Sequence, residues 1–400
     1  MNYLSDRINL LAESETLAMT RRSRELRAQG FDVINLSIGE PDFDTPFHVK
    51  EAAKEAIDQN FSHYTPVPGY PELRQAIANK LKRDNGLDYT AEQIVVSTGA
   101  KQSLANAILC LVNPGDEVLI PAPYWVSYKE IIKLAGAKGV FIEGGIHADF
   151  KVTPEQIEAA ITPETKLFIF SSPCNPSGTV YTFEELKAFS EVFARHPHVF
   201  VISDEIYENI NFIGVHHSIA SFGNIKERVI IINGLSKGFA MTGWRLGYMA
   251  ASKEIAAACD KLQGQITSGA CSITQRAAIV AMNTDPAESD DIKRMVDAFR
   301  YRRDLAISLL REIPGVKINV PDGAFYLFPD VTAYFGKSFG DRVIFSGSDL
   351  CDYILDTVYV AIVPGAAFGS PDCIRISYAT SEDNLREAIR RISEAFSKLK

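Results

Sequence analysis

The chain has no long apolar segment. Of its 400 residues 46% are hydrophobic, but no uninterrupted apolar stretch approaches the roughly 20 residues that a transmembrane helix requires. The first residues, Met1 to Arg7, also lack a basic leader followed by an apolar run and a small-residue cleavage site. The sequence therefore predicts neither a membrane protein nor a secreted one, and we expect a cytoplasmic location.

The chain also lacks paired cysteines and an excess of positive charge. Its six cysteines are scattered without a Cys-x-x-Cys pair, so we expect reduced thiols, no disulfide framework and no metal site. Lysine and arginine number 41 against 50 aspartates and glutamates, a formal net charge of −9. This balance argues against a general affinity for nucleic acid or anionic membranes, although one basic cleft for a small anionic substrate stays compatible with it.

Short β-rich runs alternate with amphipathic helices between about residues 47 and 290. Apolar runs bounded by turn residues predict buried strands, and apolar residues at helical spacing predict the helices between them. The predicted strands are Gln93–Ser97, Glu117–Ile120, Lys166–Phe170, Val199–Ile202 and Val229–Ile232. This alternation indicates an α/β fold with a mostly parallel sheet covered by helices on both faces.

The pattern changes after about residue 290. A long polar helix is predicted over Ile292–Leu310, a short strand over Phe325–Phe328 and a final helix from about Glu382 to Lys398. We therefore expect a large domain over residues 47–290 and a smaller α/β domain over residues 291–400. The N-terminal segment, residues 1–46, is expected to join the smaller domain.

Four of the predicted strands end in loops with polar or glycine clusters. These loops are Gly99–Lys101, Ser172–Pro176, Ser203–Tyr207 and Asn233–Lys237. In an open α/β sheet the ligand crevice lies beyond the carboxyl ends of the strands. The four loops are therefore expected to converge on one cleft.

The loop Gly99–Lys101 follows a strand and opens a predicted helix. Backbone N–H groups at such a helix start bind phosphate, aided by the helix dipole, and Ser236, Lys237 and Arg245 would add a hydroxyl and two cations. When the loop is considered alone, a tight turn explains it better. The chain contains neither G-x-x-x-x-G-K-[ST] nor G-x-G-x-x-G, so a nucleotide is not indicated.

Asp204 and Lys237 are ionisable side chains at these strand ends. Because an unpaired carboxylate among apolar neighbours is costly, Asp204 is expected to meet a cation such as a protonated pyridine nitrogen, or else to cap a helix. Lys237, in a Gly/Ser-rich loop near Arg245, is expected to have a depressed pKa that suits Schiff-base chemistry; the alternative is an exposed loop lysine. Tyr207 could direct its phenol at the same ligand or pack in the core.

One motif indicates a different enzyme class. Gly234–Gly238 matches the G-x-S-x-G nucleophile elbow of a serine hydrolase, with Ser236 as the nucleophile. That fold needs its histidine after the serine in chain order, but the last of the seven histidines is His217. The sequence therefore argues against a serine hydrolase.

A set of motifs extends along nearly the whole chain. They are Asn175-Pro176-x-Gly178, Ser203–Tyr207, Ser236–Gly247 and Arg375–Tyr378, together with Gly39–Phe43, Tyr64–Gly69, Pro123–Tyr128 and Gly323–Tyr326. Each motif alone is weak, but in this order and spacing they resemble the class I/II pyridoxal-phosphate-dependent aminotransferases, and the bacterial aspartate aminotransferase branch in particular. The resemblance implies fold type I, with a large domain of mixed, mostly parallel sheet and a smaller α/β domain.

The resemblance also implies roles around pyridoxal 5′-phosphate. Lys237 resembles the lysine that holds the cofactor as a Schiff base and then moves a proton at the substrate Cα, and Asp204 resembles the partner of the pyridinium nitrogen. With Tyr207, these are the expected catalytic residues. The other implied cofactor contacts are Asn175 and Tyr207 at the ring O3′, Trp125 on the ring face, and Ser236, Arg245 and the backbone at Gly99, Ala100 and Lys101 around the phosphate.

Substrate binding and assembly follow from the same resemblance. Tyr64 would reach the phosphate of a neighbouring subunit, which implies a homodimer with shared active sites. Arg375 would bind the substrate α-carboxylate as a bidentate pair, assisted by Asn175 and the Gly39 backbone, with Trp125 beside the substrate. The small domain would then close over the cleft, and an amino acid and a 2-oxo acid would react in a ping-pong order.

Lys101 and Thr16 are the candidates for substrate choice. In the similar bacterial branch a lysine after Gly-Gly or Gly-Ala can bind the distal carboxylate, and Lys101 holds that position. We therefore expect L-aspartate and 2-oxoglutarate as substrates, giving oxaloacetate and L-glutamate. Relatives that act on prephenate often carry Lys-Pro just before Ser-x-Thr, whereas Leu11–Thr16 reads Leu-Ala-Glu-Ser-Glu-Thr, which argues against prephenate.

Two other enzymes and one other class of protein stay open as alternatives. An aromatic or neutral amino acid aminotransferase and a C–S β-lyase would use the same Lys237 and Asp204. A cofactor-binding transcriptional regulator would need an added DNA-binding domain, which we do not expect here, and the acidity of the chain weighs against it.

Overall fold

The computed structural model of the protein describes residues 3–400. Helices and strands alternate over most of that range. The helices are α1 (Asp6–Asn9), α2 (Glu15–Ala28), α3 (Phe47–Asp58), α4 (Pro71–Asn85), α5 (Ala100–Leu111), α6 (Ser127–Leu134), α7 (Pro154–Ala160), α8 (Phe183–Arg195), α9 (Lys253–Ile266), α10 (Ser272–Asn283), α11 (Asp290–Arg311), α12 (Gly347–Val358) and α13 (Glu382–Ser397). The strands are β1 (Ile34–Asn35), β2 (Ile94–Ser97), β3 (Glu117–Ala122), β4 (Lys138–Glu143), β5 (Thr165–Ser171), β6 (Phe200–Asp204), β7 (Val229–Gly234), β8 (Gly247–Ala250), β9 (Tyr326–Leu327), β10 (Ser338–Phe339), β11 (Arg342–Val343), β12 (Val360–Ala361), β13 (Val363–Pro364) and β14 (Ile374–Ser377).

A seven-stranded sheet with the order β2-β8-β7-β6-β5-β3-β4 forms the centre of the molecule. Each neighbouring pair in the run β7-β6-β5-β3-β4 is parallel, whereas β8 runs antiparallel to both of its neighbours, β2 and β7. The predicted fold class, a mixed and mostly parallel sheet flanked by helices, is therefore confirmed.

Both faces of this sheet are buried, because its central strands are apolar at nearly every position. Successive side chains of a strand point to opposite faces, so Phe168 and Phe170 of β5 join one apolar core while Leu167 and Ile169 join the other. Helices pack over each face, as a parallel sheet requires. Side-chain caps help to fix where they begin; α8, for example, starts with a capping box at Thr182.

A third apolar core lies outside the large sheet. It combines buried residues between Met19 and Leu36 with others from Met295 to Leu399. Parallel pairing of β1 with β12, through Ile34 opposite Val360, joins the N-terminal segment to the C-terminal part of the chain. A three-stranded sheet, β13-β14-β9, belongs to the same region.

The structure contains elements that the sequence pattern did not predict. Strand β4 is an edge strand with exposed positions, and β8 has only four residues and begins at Gly247, so neither gives a long apolar run. Among residues 3–400, no helix is long and apolar enough to cross a membrane.

Candidate active site

The loops that follow strands β2, β5, β6 and β7 meet at one edge of the large sheet, as predicted. Together with α2, β14 and the loop after Ile38 they enclose a pocket of about 420 Å³. Most of the predicted site residues line it: Thr16, Gly39, Ala100, Lys101, Trp125, Asn175, Asp204, Tyr207, Ser236, Lys237, Arg245 and Arg375. Gly99 lies just behind the wall, at the start of α5.

Lys237 lies three residues after the end of β7 and lines this pocket. Its Nζ donates a hydrogen bond to the carbonyl oxygen of Gly39. Burial is the main cause that lowers the pKa of Lys237, to about 8, and the charges of Arg375 and Arg245 act in the same direction. The sequence had pointed to Arg245 alone, so the depressed pKa has a broader cause than expected.

Asp204 is the last residue of β6 and is only 6% exposed. One carboxylate oxygen accepts a hydrogen bond from the Tyr128 hydroxyl at 2.7 Å, and the other accepts one from the Ile206 backbone N–H at 3.3 Å. Burial raises the pKa of Asp204 to about 6, against the lowering effect of these two hydrogen bonds. A buried carboxylate with two hydrogen-bond donors suits a cationic ring nitrogen as a partner.

The backbone at Gly99 and Ala100 packs tightly against Arg245. Gly99 adopts a positive φ of 86°, and a Cβ added there would lie 2.4 Å from the Arg245 guanidinium. A Cβ at Gly247 would lie 2.1 Å from the Ala100 nitrogen. Because the first N–H groups of a helix have no partner within it, the start of α5, Arg245 and Ser236 together form a site of the right chemistry for a phosphate.

Arg375 lies on β14 and is 2% exposed. Its guanidinium donates to the Asn175 side-chain oxygen at 3.0 Å and to the Ser37 carbonyl oxygen at 2.6 Å. The Tyr326 ring lies 4.5 Å from the guanidinium carbon, and the Tyr326 hydroxyl is 2.8 Å from that of Tyr207. These contacts hold a permanent positive charge in a fixed orientation at the wall of the pocket.

Lys101 and Thr16 face the pocket from different elements. The Lys101 Nζ lies 4.9 Å from the centre of the Trp125 ring, a distance typical of a cation–π contact. Burial, and then the charge of Arg245, lowers the pKa of Lys101. Thr16 lies in the first turn of α2, so the N-terminal segment contributes to the pocket wall.

Tyr64 lies away from this pocket within the chain. It is 99% exposed and belongs to a separate surface cleft with Thr65 and Gly269. Its predicted contact with a neighbouring subunit stays a prediction.

Three residues in or beside the pocket were not singled out from the sequence: Glu40 and Tyr326 line it, and Tyr128 is buried next to it. Tyr128 binds Asp204, Tyr326 contacts Tyr207 and Arg375, and Glu40 raises the pKa of Lys237 against the effect of burial. Each lies in a motif that carried the family resemblance, which is the signal that could have identified it.

Comparisons with known proteins agree with this geometry. The family model described as aminotransferase class I and II matches residues 32–392. The chain is 48% identical over 395 residues to an aspartate/prephenate aminotransferase of Cereibacter sphaeroides, covering 98% of each chain. It is also 48% identical to a bifunctional aspartate and glutamate/aspartate-prephenate aminotransferase of Petunia hybrida, covering 99% of this chain and 83% of that protein. The solved aspartate aminotransferase of Rhizobium meliloti matches with a TM-score of 0.96 and 42% identity over the full length of both chains. That of Thermus thermophilus with maleate matches with a TM-score of 0.93 and 39% identity, covering 99% of this chain and 100% of that chain.

Proposed function

We propose, since the chain belongs to the family of class I and II aminotransferases, that it moves an amino group between L-aspartate and 2-oxoglutarate with pyridoxal 5′-phosphate as its cofactor. The products would be oxaloacetate and L-glutamate. The observation that carries this proposal is the placing of Lys237, Asp204 and Arg375 around one pocket beside a helix start suited to phosphate.

The residues of the pocket fit the proposed cofactor. Lys237 would bind its aldehyde carbon, Asp204 would pair with its ring nitrogen, and Trp125 would lie on its ring. Asn175 and Tyr207 would donate to the ring O3′, while Ser236, Arg245 and the N–H groups at the start of α5 would hold the phosphate. When bound, the cofactor supplies an electron sink for the bond that breaks at the substrate Cα.

The remaining chemistry belongs to side chains of the protein. A lysine whose pKa lies at about 8 is available as a neutral amine near physiological pH, so Lys237 can take the proton from the substrate Cα and return it. Arg375 would orient the substrate by its α-carboxylate, helped by Asn175. Closure of the small domain, proposed as residues 1–46 with 291–400, would exclude water.

Lys101 and Thr16 are proposed to select a dicarboxylic substrate. The Lys101 ammonium faces the same pocket as Arg375, so one substrate could meet a cation at each end. Lys101→Ala should lower kcat/KM for L-aspartate by about 100-fold, the value of one charge-assisted contact, and leave kcat/KM for L-tyrosine nearly unchanged. Lys129→Ala, on α6, is the matched control. Equal effects on both substrates would contradict the assignment.

We also propose a homodimer, with Tyr64 reaching the phosphate bound by the partner subunit, and a cytoplasmic location. The exposure of Tyr64 supports the first proposal, and six unpaired cysteines support the second. Sedimentation of the purified protein tests for the dimer. Mixed dimers of Tyr64→Phe and Lys237→Ala chains test whether the active sites are shared.

The central experiment treats purified protein with borohydride and then identifies the modified peptide by mass spectrometry. The cofactor should be found on Lys237, and its visible band should disappear on reduction. A panel of L-aspartate, L-tyrosine, cystathionine and prephenate with suitable partners should give the highest kcat/KM with L-aspartate and 2-oxoglutarate. Ammonia and pyruvate from cystathionine would instead identify a β-lyase. Prephenate appears in the names of the similar aminotransferases, so activity with it tests the prediction made from Leu11–Thr16.

A further inference from the structure

A closed polar cluster lies on the other side of strand β6 from the pocket. Side chains alternate along a strand, so Ser203 and Glu205 point away from the face that carries Asp204. We call the side chains around Glu205 the rear cluster: Lys80, Ser203, Glu205, Glu208, His216 and Ser218. Glu205 is 1% exposed, Lys80 is 4% exposed and the His216 side chain is 7% exposed.

Glu205 is held by two serines and one histidine. Its Oε1 accepts hydrogen bonds from Ser203 at 2.8 Å and Ser218 at 2.6 Å. Its Oε2 lies 3.1 Å from the His216 Nε2, but the two atoms are not aligned for a hydrogen bond. Among the described residues neither ring nitrogen of His216 has a hydrogen-bond partner. The two side chains are therefore within ion-pair distance of each other without a hydrogen bond between them.

The rear cluster is unbalanced unless His216 is charged. It buries two carboxylates, and the one lysine in it contacts Glu208, which also accepts a hydrogen bond from Asn85. Glu205 then has no cation other than His216 within ion-pair distance among residues 3–400. A buried carboxylate without a counter-ion is very costly, whereas an imidazolium 3.1 Å away compensates it.

We propose that His216 is positively charged opposite Glu205, and that this pair sets the electrostatic field at Asp204 on the other face of the strand. Glu205 and His216 are thus positioning residues for the proposed cofactor site, and the inference rests on that proposed function. Asp204 and Glu205 are adjacent in the chain. The contacts that the rear cluster makes with Glu205 therefore also fix the backbone that carries Asp204.

Other charged and titratable groups face the pair and must be kept constant in a test. Lys80, Asp84 and Glu208 approach from α4 and the loop after β6. Burial is the main cause that raises the pKa values of the Tyr89 and Tyr248 phenols, and the charge of Glu205 acts in the same direction. The charge of Glu205 also raises the pKa of Asp204, in addition to the larger effect of burial.

The test compares three variants of the holoenzyme: Glu205→Gln, His216→Gln and the double variant. The pH midpoint of the visible band of bound pyridoxal phosphate should fall in Glu205→Gln, because a negative charge is lost, and rise in His216→Gln, because a positive charge is lost. Each shift should be about half a pH unit for a charge roughly 10 Å away. The double variant should return close to the wild-type midpoint.

Opposite shifts that cancel are the signature of charge, and a purely structural role would not produce them. Shifts in the same direction, or no shift in either single variant, would overturn the proposal. His217→Gln is the matched control, since its ring packs on Phe183, and it should leave the midpoint unchanged.

Failure of the proposed function can be told apart from failure of this inference. If the protein bound no pyridoxal phosphate, urea unfolding of the same variants would still test the charge pair: the double variant should lose less stability than the sum of the single variants. Additive losses would overturn the pair. Glu205, Glu208 and His216 also place ligand atoms within 4.8 Å of one another. A stoichiometric metal in purified protein that is lost in His216→Gln would overturn the proposal too, because the metal would then neutralise Glu205.

Discussion

Lys80 and Lys237 are both enclosed by protein, but their surroundings differ. Lys80, with a side chain 5% exposed, contacts the Glu208 carboxylate, lies 3.9 Å from Asp84 and donates to Asn85 at 2.8 Å. Lys237 donates to the backbone carbonyl of Gly39 and lies near the charges of Arg375 and Arg245. The rear cluster thus surrounds its lysine with carboxylate and amide oxygens, whereas the pocket lowers the pKa of Lys237. A lysine serves structure in one place and chemistry in the other, and the surrounding charges decide which.

The largest effect is expected from Lys237→Met. Transamination should fall by about 10⁴-fold, because a positioned acid–base group contributes up to that factor and the proposed covalent link to the cofactor would also be lost. Steady-state kinetics with L-aspartate and 2-oxoglutarate measures the loss. Lys80→Met should retain activity per folded molecule, and a comparable loss there would remove the contrast between the two lysines.

The free energy of unfolding should depend on these two lysines in the opposite order, with the larger loss in the Lys80 variant. Lys80→Met leaves Glu208 buried without its counter-ion, so the free energy of unfolding should fall by about 3–5 kcal/mol. In cofactor-free protein Lys237→Met should instead raise that free energy, because an unfavourable buried amine is removed. Urea unfolding at pH 7 gives both values, and a destabilised Lys237→Met protein would contradict the comparison.

The pH dependence of stability distinguishes the pocket groups. The pKa of Lys237 lies at about 8 when folded and 10.5 when unfolded, so the unfolded chain binds more protons between these values and stability rises with pH across them, by ~3 kcal/mol at most. The pKa of Asp204 is raised from 3.8 to about 6, so the folded state binds more protons there and stability rises as pH falls from about 6 to 4. Unfolding of cofactor-free wild type against Lys237→Met and Asp204→Asn, over pH 4 to 10.5, isolates each contribution.

The smallest effect is expected from Tyr128→Phe. Its hydroxyl lowers the pKa of Asp204 through the 2.7 Å hydrogen bond, so the variant should raise that pKa further and weaken the pairing with the cofactor. A loss of about 1 kcal/mol, or roughly fivefold in kcat/KM, is expected. Tyr124→Phe, four residues away, is the control. An unchanged pH profile in Tyr128→Phe would show that the hydrogen bond does not tune Asp204.

The sequence predicted the residues that line the pocket better than the residues that hold them in place. Strand ends are visible as apolar runs that stop at polar loops, so the convergence of Lys237, Asp204 and Ala100 on one edge followed from the order of elements. The bond from Tyr128 to Asp204 joins residues 76 positions apart and that from Lys80 to Glu208 joins residues 128 apart. Such pairs depend on how α4 and α6 pack on the sheet, and this packing cannot be predicted from a local sequence pattern. Strand β8 was missed for a similar reason, since four residues that include a glycine give no period.

The antiparallel direction of β8 has a consequence for how the chain tolerates change. Because β7 ends and β8 begins at the same edge of the sheet, the segment between Gly234 and Gly247 never leaves that edge, and it carries Ser236, Lys237 and Arg245 within a dozen positions. An insertion there would separate the Lys237 amine from the Arg245 guanidinium. An insertion in the turn at Asn113–Asp116, before β3, would lie at the opposite edge of the sheet. The chain should therefore tolerate natural or engineered changes of length at that turn but not in the segment before β8.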